Sequence, residues 1–483
     1  LPTSEQALAD AARLYTKLVG RRDDVDKTQR YYRGDQPLVF ATDEWKTLHA
    51  QRYQGFSDNW CGVVGSAPGE RTEIRGFRLG DDMDLVSPNE KQLWDDWERA
   101  DGPAQSSQGF LTSTVSKRSF ALVWGSSDGE PQLTWEHPGE MLLECDPERP
   151  RDRLRAIKSW ISDGVEYLTL YEPDFVWKWE RKSTEGDSTK TSHTTYGSPD
   201  NKHWATRQGP GDDTWPVRNP LGEVPVIEFP NRPTLGGEPL SDITGTMAMQ
   251  DAINMLWAYL FVAADYASMP ARVVMGQEPP KIPILNADGE KVGDRAVDIQ
   301  ELTKGRMLWL TGQNAKIDKW DASSLDVFTD VVNVAVRHIA AQTRTPIYLI
   351  HGELGNVNGE TLTGLDAPLV SKVRETHKFY TTPVRDMFGL MAKVRDNGNV
   401  AQAAKLAVIK WVNPEVRSDA QIADAALKDR QVGIPMRSVL ENRYGYSQNE
   451  VERIMRLWEI EQQDPYLATV ANKVMNSGTP NAS

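Results

Sequence analysis

Asp81, Asp82 and Asp84 are the first residues along this chain that could hold a divalent cation. They fall in a predicted turn, and a solvated acidic turn accounts for them better than a metal site. Asp23-Asp24 and Asp212-Asp213 take the same reading. WDDWE, at 94–98, sets three carboxylates on a predicted helix, but the flanking Trp94 and Trp97 mark that helix as amphipathic and packed. The seven histidines, at 49, 137, 193, 203, 338, 351 and 377, are scattered, and none stands at metal-ligand spacing from a cysteine or an acid. Cys61 and Cys145 are far apart and form no CxxC. The sequence holds no HExxH, no phosphate-cradling GxxxxGK[ST] and no GxSxG elbow, and nothing singles out a Ser-His-Asp grouping. Trp177, Trp179, Trp204 and Trp215 could build a carbohydrate platform. A glycosidase also needs paired carboxylates beside it, and core packing is the plainer role for these rings. The sequence therefore predicts no catalytic residue, no metal site and no cofactor.

Charge narrows the remaining classes. Across 483 residues, Lys and Arg number 55 against 69 Asp and Glu, a net charge of −14. A protein that grips DNA carries a basic face to neutralise phosphates, so this balance speaks against tight binding. It does not speak against a channel through which DNA must slide, where strong phosphate contacts would act as a brake. No run of about 18 apolar residues exists, so no membrane-spanning helix is expected. The opening LPTSEQALADAARLY lacks the apolar stretch of a signal peptide, and Leu in first place fits a few missing leading residues. Two cysteines fit synthesis in a reducing cytoplasm.

The elements that must position any site follow from periodicity and turn residues. Residues 1–20 predict an amphipathic helix and YYRGDQPL (31–38) a turn. A helix is expected over 52–68, a strand at EIRGFRL (73–79) and a helix over 89–100. Residues 118–180 are β-rich, with one hairpin inside SFALVWGSSDGEPQLTWEHP and another about Asp163-Gly164. From 181 to 216 the chain is polar and rich in turn residues, as a loop or mobile flap would be. VPVIEFPNRP (224–233) then reads as a strand.

The second half changes character. Ile253, Leu256, Trp257, Leu260, Phe261 and Ala264 share one face of a helix over 244–269 that Pro270 stops. Residues 271–312 form a small β-containing insert. A second helix spans 324–344, with Ser323 as candidate N-cap. After a Pro- and Gly-containing loop, apolar steps of three and four run from Leu362 to Val394; Pro368 and Pro383 should kink or split that helix. The tail, 418–460, reads as two or three helices broken at 433–435 and 445–447. Two helices thus bracket an insert of about 40–50 residues, far longer than an ordinary connection. Such a hairpin projects the insert away from the body, and copies around an axis would form a stem with a collar.

Several runs together resemble a known family. YYRGDQPL and NWCGVVGSAPGERTEIRGFR are similar to the N-terminal signature of portal proteins from phages of actinobacteria. HPGEMLLECDPERP, LYEPDFVWKW, MQDAINMLWAYL and HGELGNVNGETLTGLDAPLVSKV follow in the family's order, and IADAALKDRQVGIPMRSVLENRYGYSQNEVERI resembles its tail. VVGSAPGER departs from the family, which usually has Asp or Asn at the VVDA-like position. The resemblance implies an α+β portal fold: wing (1–240), first stem helix (241–270), clip (271–320), second stem helix (321–346), tunnel loop and long kinked wing helix (347–412), and helical crown (413–483). It implies a non-enzymatic ring of twelve subunits at one capsid vertex of the virion, assembled in the bacterial host cytoplasm. Terminase, major capsid and scaffold proteins, a head-tail adaptor, and double-stranded DNA passing without sequence readout are the implied partners.

In that reading the loop from Tyr348 to Gly359 narrows the channel. His351, Asn356 and Asn358 would touch phosphates weakly, while Arg337 and Arg344 would form a basic ring or pair with nearby carboxylates. Met307, Leu308 and Trp309 would dock partners on the clip. A different virion ring or adaptor protein, or an enzyme without a recognisable motif, are the competing readings.

Overall fold

The computed structural model describes residues 3–36, 56–80, 87–182, 196, 202–207, 215–268, 272–275, 281–285, 290–296, 307–310, 316–319, 325–351 and 359–463. They divide into two compact units, one built from 1–33, 59–246 and 340–483 and the other from 34–58 and 247–339.

The first unit opens with α1 (Ser4–Arg33), which stops at Gly34 with φ 84°. The helix is longer than predicted, and Tyr31–Arg33, expected in a turn, belong to it. Leu18, Val25 and Tyr31 are all buried and continue the inner face. The polar run between them hides that spacing. α2 (Trp60–Gly69) begins where the Asn59 side chain accepts from the Gly62 N–H, so the helix predicted over 52–68 starts late; residues 52–55 lie outside the described ones. β1 (Ile74–Arg78) stands as expected. So does α3 (Pro88–Arg99), opened by a capping box between Ser87 and Glu90. α4 (Gly102–Ser116) was not predicted.

Nine strands follow: β2 (Arg118–Gly125), β3 (Pro131–Glu136), β4 (Met141–Cys145), β5 (Arg153–Ser162), β6 (Val165–Tyr171), β7 (Phe175–Lys182), β8 (Ala205–Thr206), β9 (Val217–Arg218) and β10 (Val226–Pro230). β10-β2-β3 form one antiparallel sheet. β4 to β8 run in order through a second, with β9 beside β7. Both expected hairpins form. Asp163 and Gly164, at φ 51° and 73°, make the two-residue turn between β5 and β6; positive φ at both positions suits the twist of paired strands. Most of the polar 181–216 stretch lies outside the described residues.

Apolar spacing decides how these layers pack. Ala7, Ala11, Leu14, Tyr15 and Leu18 of α1 meet Ile157, Leu168, Leu170, Trp177 and Trp179 in one buried cluster. Two of the four tryptophans considered for a platform are therefore core. Glu166 is fully buried beneath α1, where it accepts from Tyr15 Oη at 2.6 Å and Arg181 Nε at 2.7 Å. Trp94 and Trp97 are buried too, and Asp96 between them accepts from Arg395 and Arg99. The WDDWE helix is a packing helix with one internal ion cluster.

The second unit holds α5 (Met247–Ser268), β11 (Arg272–Met275), β12 (Lys281–Leu285), β13 (Lys291–Ala296), β14 (Met307–Leu310), β15 (Lys316–Lys319) and most of α6 (Asp326–Thr343). Helix, β insert and helix thus follow as expected; Ser323 lies outside the described residues. β11 is central, parallel to β14 and antiparallel to β15, with the β12–β13 hairpin inside the crossover. Within this unit Phe56 packs edge-on against Phe261, ring centroids 5.1 Å apart, and Trp257 donates to Asp58 at 2.8 Å.

The chain then re-enters the first unit through α7 (Ile347–His351), α8 (Gly359–Val394), α9 (Gly398–Ala404), β16 (Val408–Trp411), α10 (Asp419–Gln431), α11 (Met436–Val439) with a π turn over Leu440–Tyr444, and α12 (Gln448–Gln463). The tail breaks where predicted. α8 is not split at its prolines: its 36 residues form one helix, with Pro368 and Pro383 inside it. Each proline removes one N–H donor. A face of Leu369, Val373, Tyr380, Val384, Met387 and Met391, all buried, outweighs that loss by packing. β16 was not predicted; it pairs antiparallel with β1, Phe77 opposite Ile409.

Two histidines here are shielded from water, His377 buried and His137 partly so. His377 stacks on Trp411 with ring centroids 4.6 Å apart, and burial pushes its pKa down to about 4. Burial, with help from the Arg33 charge, pushes His137 to about 4 as well. The unfolded chain protonates its histidines below about pH 6.5, while the folded one resists. Stability is therefore full above pH 6.5 and is lost as pH falls toward 4, by at most about 3 kcal/mol per ring. Urea midpoints at pH 7, 6 and 5 check this. His377→Phe, which preserves the stack, is expected to flatten the slope.

Candidate functional site

Of the residues expected to meet DNA, Arg344 and His351 are described on the connection between α6 and α8. α6 ends at Thr343. Arg344 follows in the left-handed region, φ 57°, and the Thr345 N–H bonds back to the Ala340 carbonyl at 3.0 Å. That is a Schellman closure with arginine in the place glycine usually takes. Pro346 then prevents the helix from resuming.

Buried ions fix this end. Lys372, on α8, donates to the Thr343 carbonyl at 3.2 Å and lies 2.9 Å from Asp242. Both side chains are almost wholly enclosed, at 6% and 1% exposure. Asn231 Nδ2 donates to the other Asp242 oxygen at 3.1 Å. The ammonium thus satisfies an orphan helix-terminal carbonyl and sits at the negative end of the helix dipole.

A second anchor holds α7 to α8. Tyr348 donates to Asp366 Oδ1 at 2.6 Å. The Arg71 guanidinium grips both oxygens of the same carboxylate, at 2.6 and 3.1 Å, and also donates to the Pro414 carbonyl at 3.2 Å. Paired N–H donors on one carboxylate are among the stronger protein hydrogen bonds. Burial works against the Arg71 charge, but the bonds to Asp366 and Tyr348 win and its pKa is raised. Burial and the bond to Asp366 raise Tyr348. The segment expected to be loop from Tyr348 onward is therefore helical through His351 and tied down at Tyr348. Five residues are too few to display an apolar period.

Of the sequence candidates, Arg344 lies 3.6 Å from Glu375, both about half exposed. Such a pair is worth under about 1 kcal/mol. Arg337 is exposed on α6. His351 is the last residue of α7, while Asn356 and Asn358 lie outside the described residues. Met307, Leu308 and Trp309 are on β14, opposite Arg272, Val273 and Val274 of β11. The acidic Asp81–Asp84 cluster and Asp212-Asp213 also lie outside. Among the described residues, no group of three or more His, Cys, Asp or Glu could hold a metal. No described helix is long and apolar enough to cross a membrane.

Sequence reading missed Arg71, Asp242, Asp366 and Lys372. The one available signal was a Lys and an Asp on the face of a long helix that also carries its apolar residues. A cleft of about 510 Å³ beside these anchors is lined by Arg344, Arg374 and Lys378 against Asp366, Glu375 and Glu415, a balanced set that selects no ligand charge.

A family model described as phage portal protein, SPP1 Gp6-like, matches residues 73–464. The chain belongs to the phage portal family. The mixed helix-and-sheet architecture is the α+β portal fold the resemblance implied, and that family is structural rather than enzymatic. Among solved structures, one described as "Neck of empty GTA particle computed with C6 symmetry" is 13% identical, with 79% of this chain and 87% of that chain covered and a TM-score of 0.41. No curated protein matches the sequence.

Proposed function

We propose that twelve copies form the portal ring at one capsid vertex and that double-stranded DNA passes through its centre during packaging and ejection. The observation that carries this reading is the way the α6–α8 connection is held, in a chain of the portal family. Buried ion anchors grip both roots, and the seven residues between α7 and α8, GELGNVN, contain no Lys or Arg. A segment fixed at its ends and free of cations can centre DNA without holding it, since each phosphate contact is weak and indifferent to sequence. His351, Asn356 and Asn358 are the residues proposed to meet DNA. In this reading residues 271–320 are the clip, between stem helices at 241–270 and 321–346.

Ring formation needs a surface that another copy covers. Val327, Val331 and Val334 form an apolar stripe on α6 at 61%, 47% and 51% exposure, opposite a face where Val332, Val336 and Ile339 are buried. Such a stripe is costly to leave in water. Val331→Asp is expected to convert rings to monomers in sedimentation without lowering the monomer's melting temperature. Electron microscopy of the purified protein tests the whole reading. Rings with a central hole support it; compact monomers at all protein and salt concentrations, with and without capsid proteins, sink it.

The β11–β15 insert is the proposed docking face for adaptor and terminase, through Met307, Leu308 and Trp309. Cross-links from a bound adaptor are expected within 271–312. Cross-links confined to the first unit would remove that role.

A further inference from the structure

The two-stranded β1–β16 sheet has one face in the core and one beneath the C-terminal helices. Phe77 and Ile409 point inward. On the other face a cleft of about 240 Å³ opens between the sheet and the π turn that leads to α12. Arg75, Arg78, Lys410, Arg417 and Arg443 line it, against only two carboxylates, Glu415 and Glu441. In a chain of net charge −14, the lining itself carries an excess of three positive charges, and one remains after Asp429 at Arg443 and Glu73 at Arg75 are counted.

Part of that charge is committed. Arg78 is buried against Glu441, Arg417 binds Glu415 at 3.0 Å, and Arg443 binds Asp429 at 2.5 Å. Arg75 is held loosely, 3.3 Å from a half-exposed Glu73. The decisive group is Gln448, whose side chain lines the same cleft. It is 3% exposed, and among the described residues neither its amide oxygen nor its amide nitrogen has a hydrogen-bond partner. A buried carboxamide with both ends unbonded costs stability. Both ends are met together by a group that offers a donor and an acceptor side by side, as a peptide backbone does.

We propose that this cleft docks an extended acidic peptide segment of a partner protein: the backbone meets Gln448, and a carboxylate meets Arg75 and Lys410. Tyr444 and Tyr446, stacked in parallel and 43% and 37% exposed, offer ring faces for the segment's flanking apolar side chains. Duplex DNA shares the charge preference but not the shape. Its phosphates lie on a convex surface that does not enter so narrow a cleft, and it presents no backbone amide to Gln448.

Fluorescence anisotropy with a labelled Gly-Asp-Leu-Asp-Asp-Leu-Gly peptide on the full chain tests it. Saturable binding that weakens about tenfold in Arg75→Ala/Lys410→Ala is expected, each lost charge-assisted contact being worth a large part of that factor. Gln448→Leu separates a binding role from a structural one. It removes two unmet polar atoms, so melting is expected to rise by about 2 °C or more while peptide affinity falls. Three results would overturn the proposal. One is binding no tighter than that of the matching Asn peptide. Another is binding unchanged in the double variant. The third is a twelve-base-pair duplex that binds more tightly than the peptide and displaces it.

Discussion

Gly109→Ala is expected to destabilise the first unit by about 2 kcal/mol or more, although helix propensity alone favours the substitution by about 1 kcal/mol. Gly109 lies inside α4, and a Cβ there would stand 1.9 Å from Trp135 Nε1 and 2.2 Å from Cδ1. No real side chain tolerates such an approach. The indole has nowhere to retreat. Phe110 packs on one side at 5.8 Å and Phe229 on another at 5.1 Å, while Nε1 donates to Ser119 at 3.3 Å. Overpacking at a rigid aromatic costs about 1–3 kcal/mol and sometimes more, so it outweighs the propensity gain. Gly20→Ala is the matched control: this glycine is also within a helix, exposed, with nothing within 4 Å of its Cβ. It is expected to stabilise by about 1 kcal/mol. Urea unfolding of the two variants should therefore move in opposite directions. Adding Trp135→Phe to Gly109→Ala is expected to recover part of the loss, because the smaller ring vacates the space. Equal, small shifts for both glycine variants would show that α4 and β3 are not packed as described.

The same helix shows where sequence reading stops. α4 is GPAQSSQGFLTSTVS, small residues with one aromatic, and its buried set includes Ser106, Gly109, Ser113 and Thr114. Hydrophobic periodicity cannot find a helix whose inner face is made of glycine and hydroxyls. Those hydroxyls bond to backbone instead, Ser113 to the Phe229 carbonyl at 2.6 Å and Thr114 to the Gly65 carbonyl at 3.1 Å. β16 escaped for a related reason. Four residues, Val408–Trp411, gain their partner only from β1, more than three hundred positions earlier. The hairpins were legible because Asp163-Gly164 and the Gly129 turn write their geometry locally. α8 was legible as a helix through its steps of three and four, but its continuity across two prolines was not, since the compensating packing is tertiary. The candidate site divides the same way. The connection itself showed as a Gly-rich, cation-free stretch. Its anchors did not, because Arg71 and Asp366, or Asp242 and Lys372, meet only in the fold.

Loosening the Tyr348 anchor is expected to impair DNA retention while leaving the fold and ring intact. Asp366 serves two donors at once, Arg71 and Tyr348. Asp366→Ala leaves the largely buried Arg71 guanidinium without its carboxylate, a loss of about 3–5 kcal/mol in such settings. That variant is expected to misassemble and informs stability alone. Tyr348→Phe is the sharper probe. It keeps the ring and the Arg71–Asp366 fork, and it deletes the hydrogen bond to the charged Asp366, worth about 1.5–3 kcal/mol, together with the longer one that Tyr348 accepts from Arg71 at 3.4 Å. That energy sets how often α7 detaches, so the detached population should rise about tenfold or more. In the proposed channel, α7 carries the start of the segment that meets DNA. More frequent detachment should therefore lower the fraction of particles that keep full-length DNA, with ring counts unchanged. Asn356→Asp/Asn358→Asp acts on the segment rather than its root, adding repulsion toward phosphate at fixed anchoring. The two variants are expected to give the same phenotype by different routes. The measurement is packaged DNA length in purified heads, beside electron-microscopic ring counts. If both variants assemble normally and package and retain DNA as the parent does, the α6–α8 connection is an ordinary link between helices and has no part in the channel.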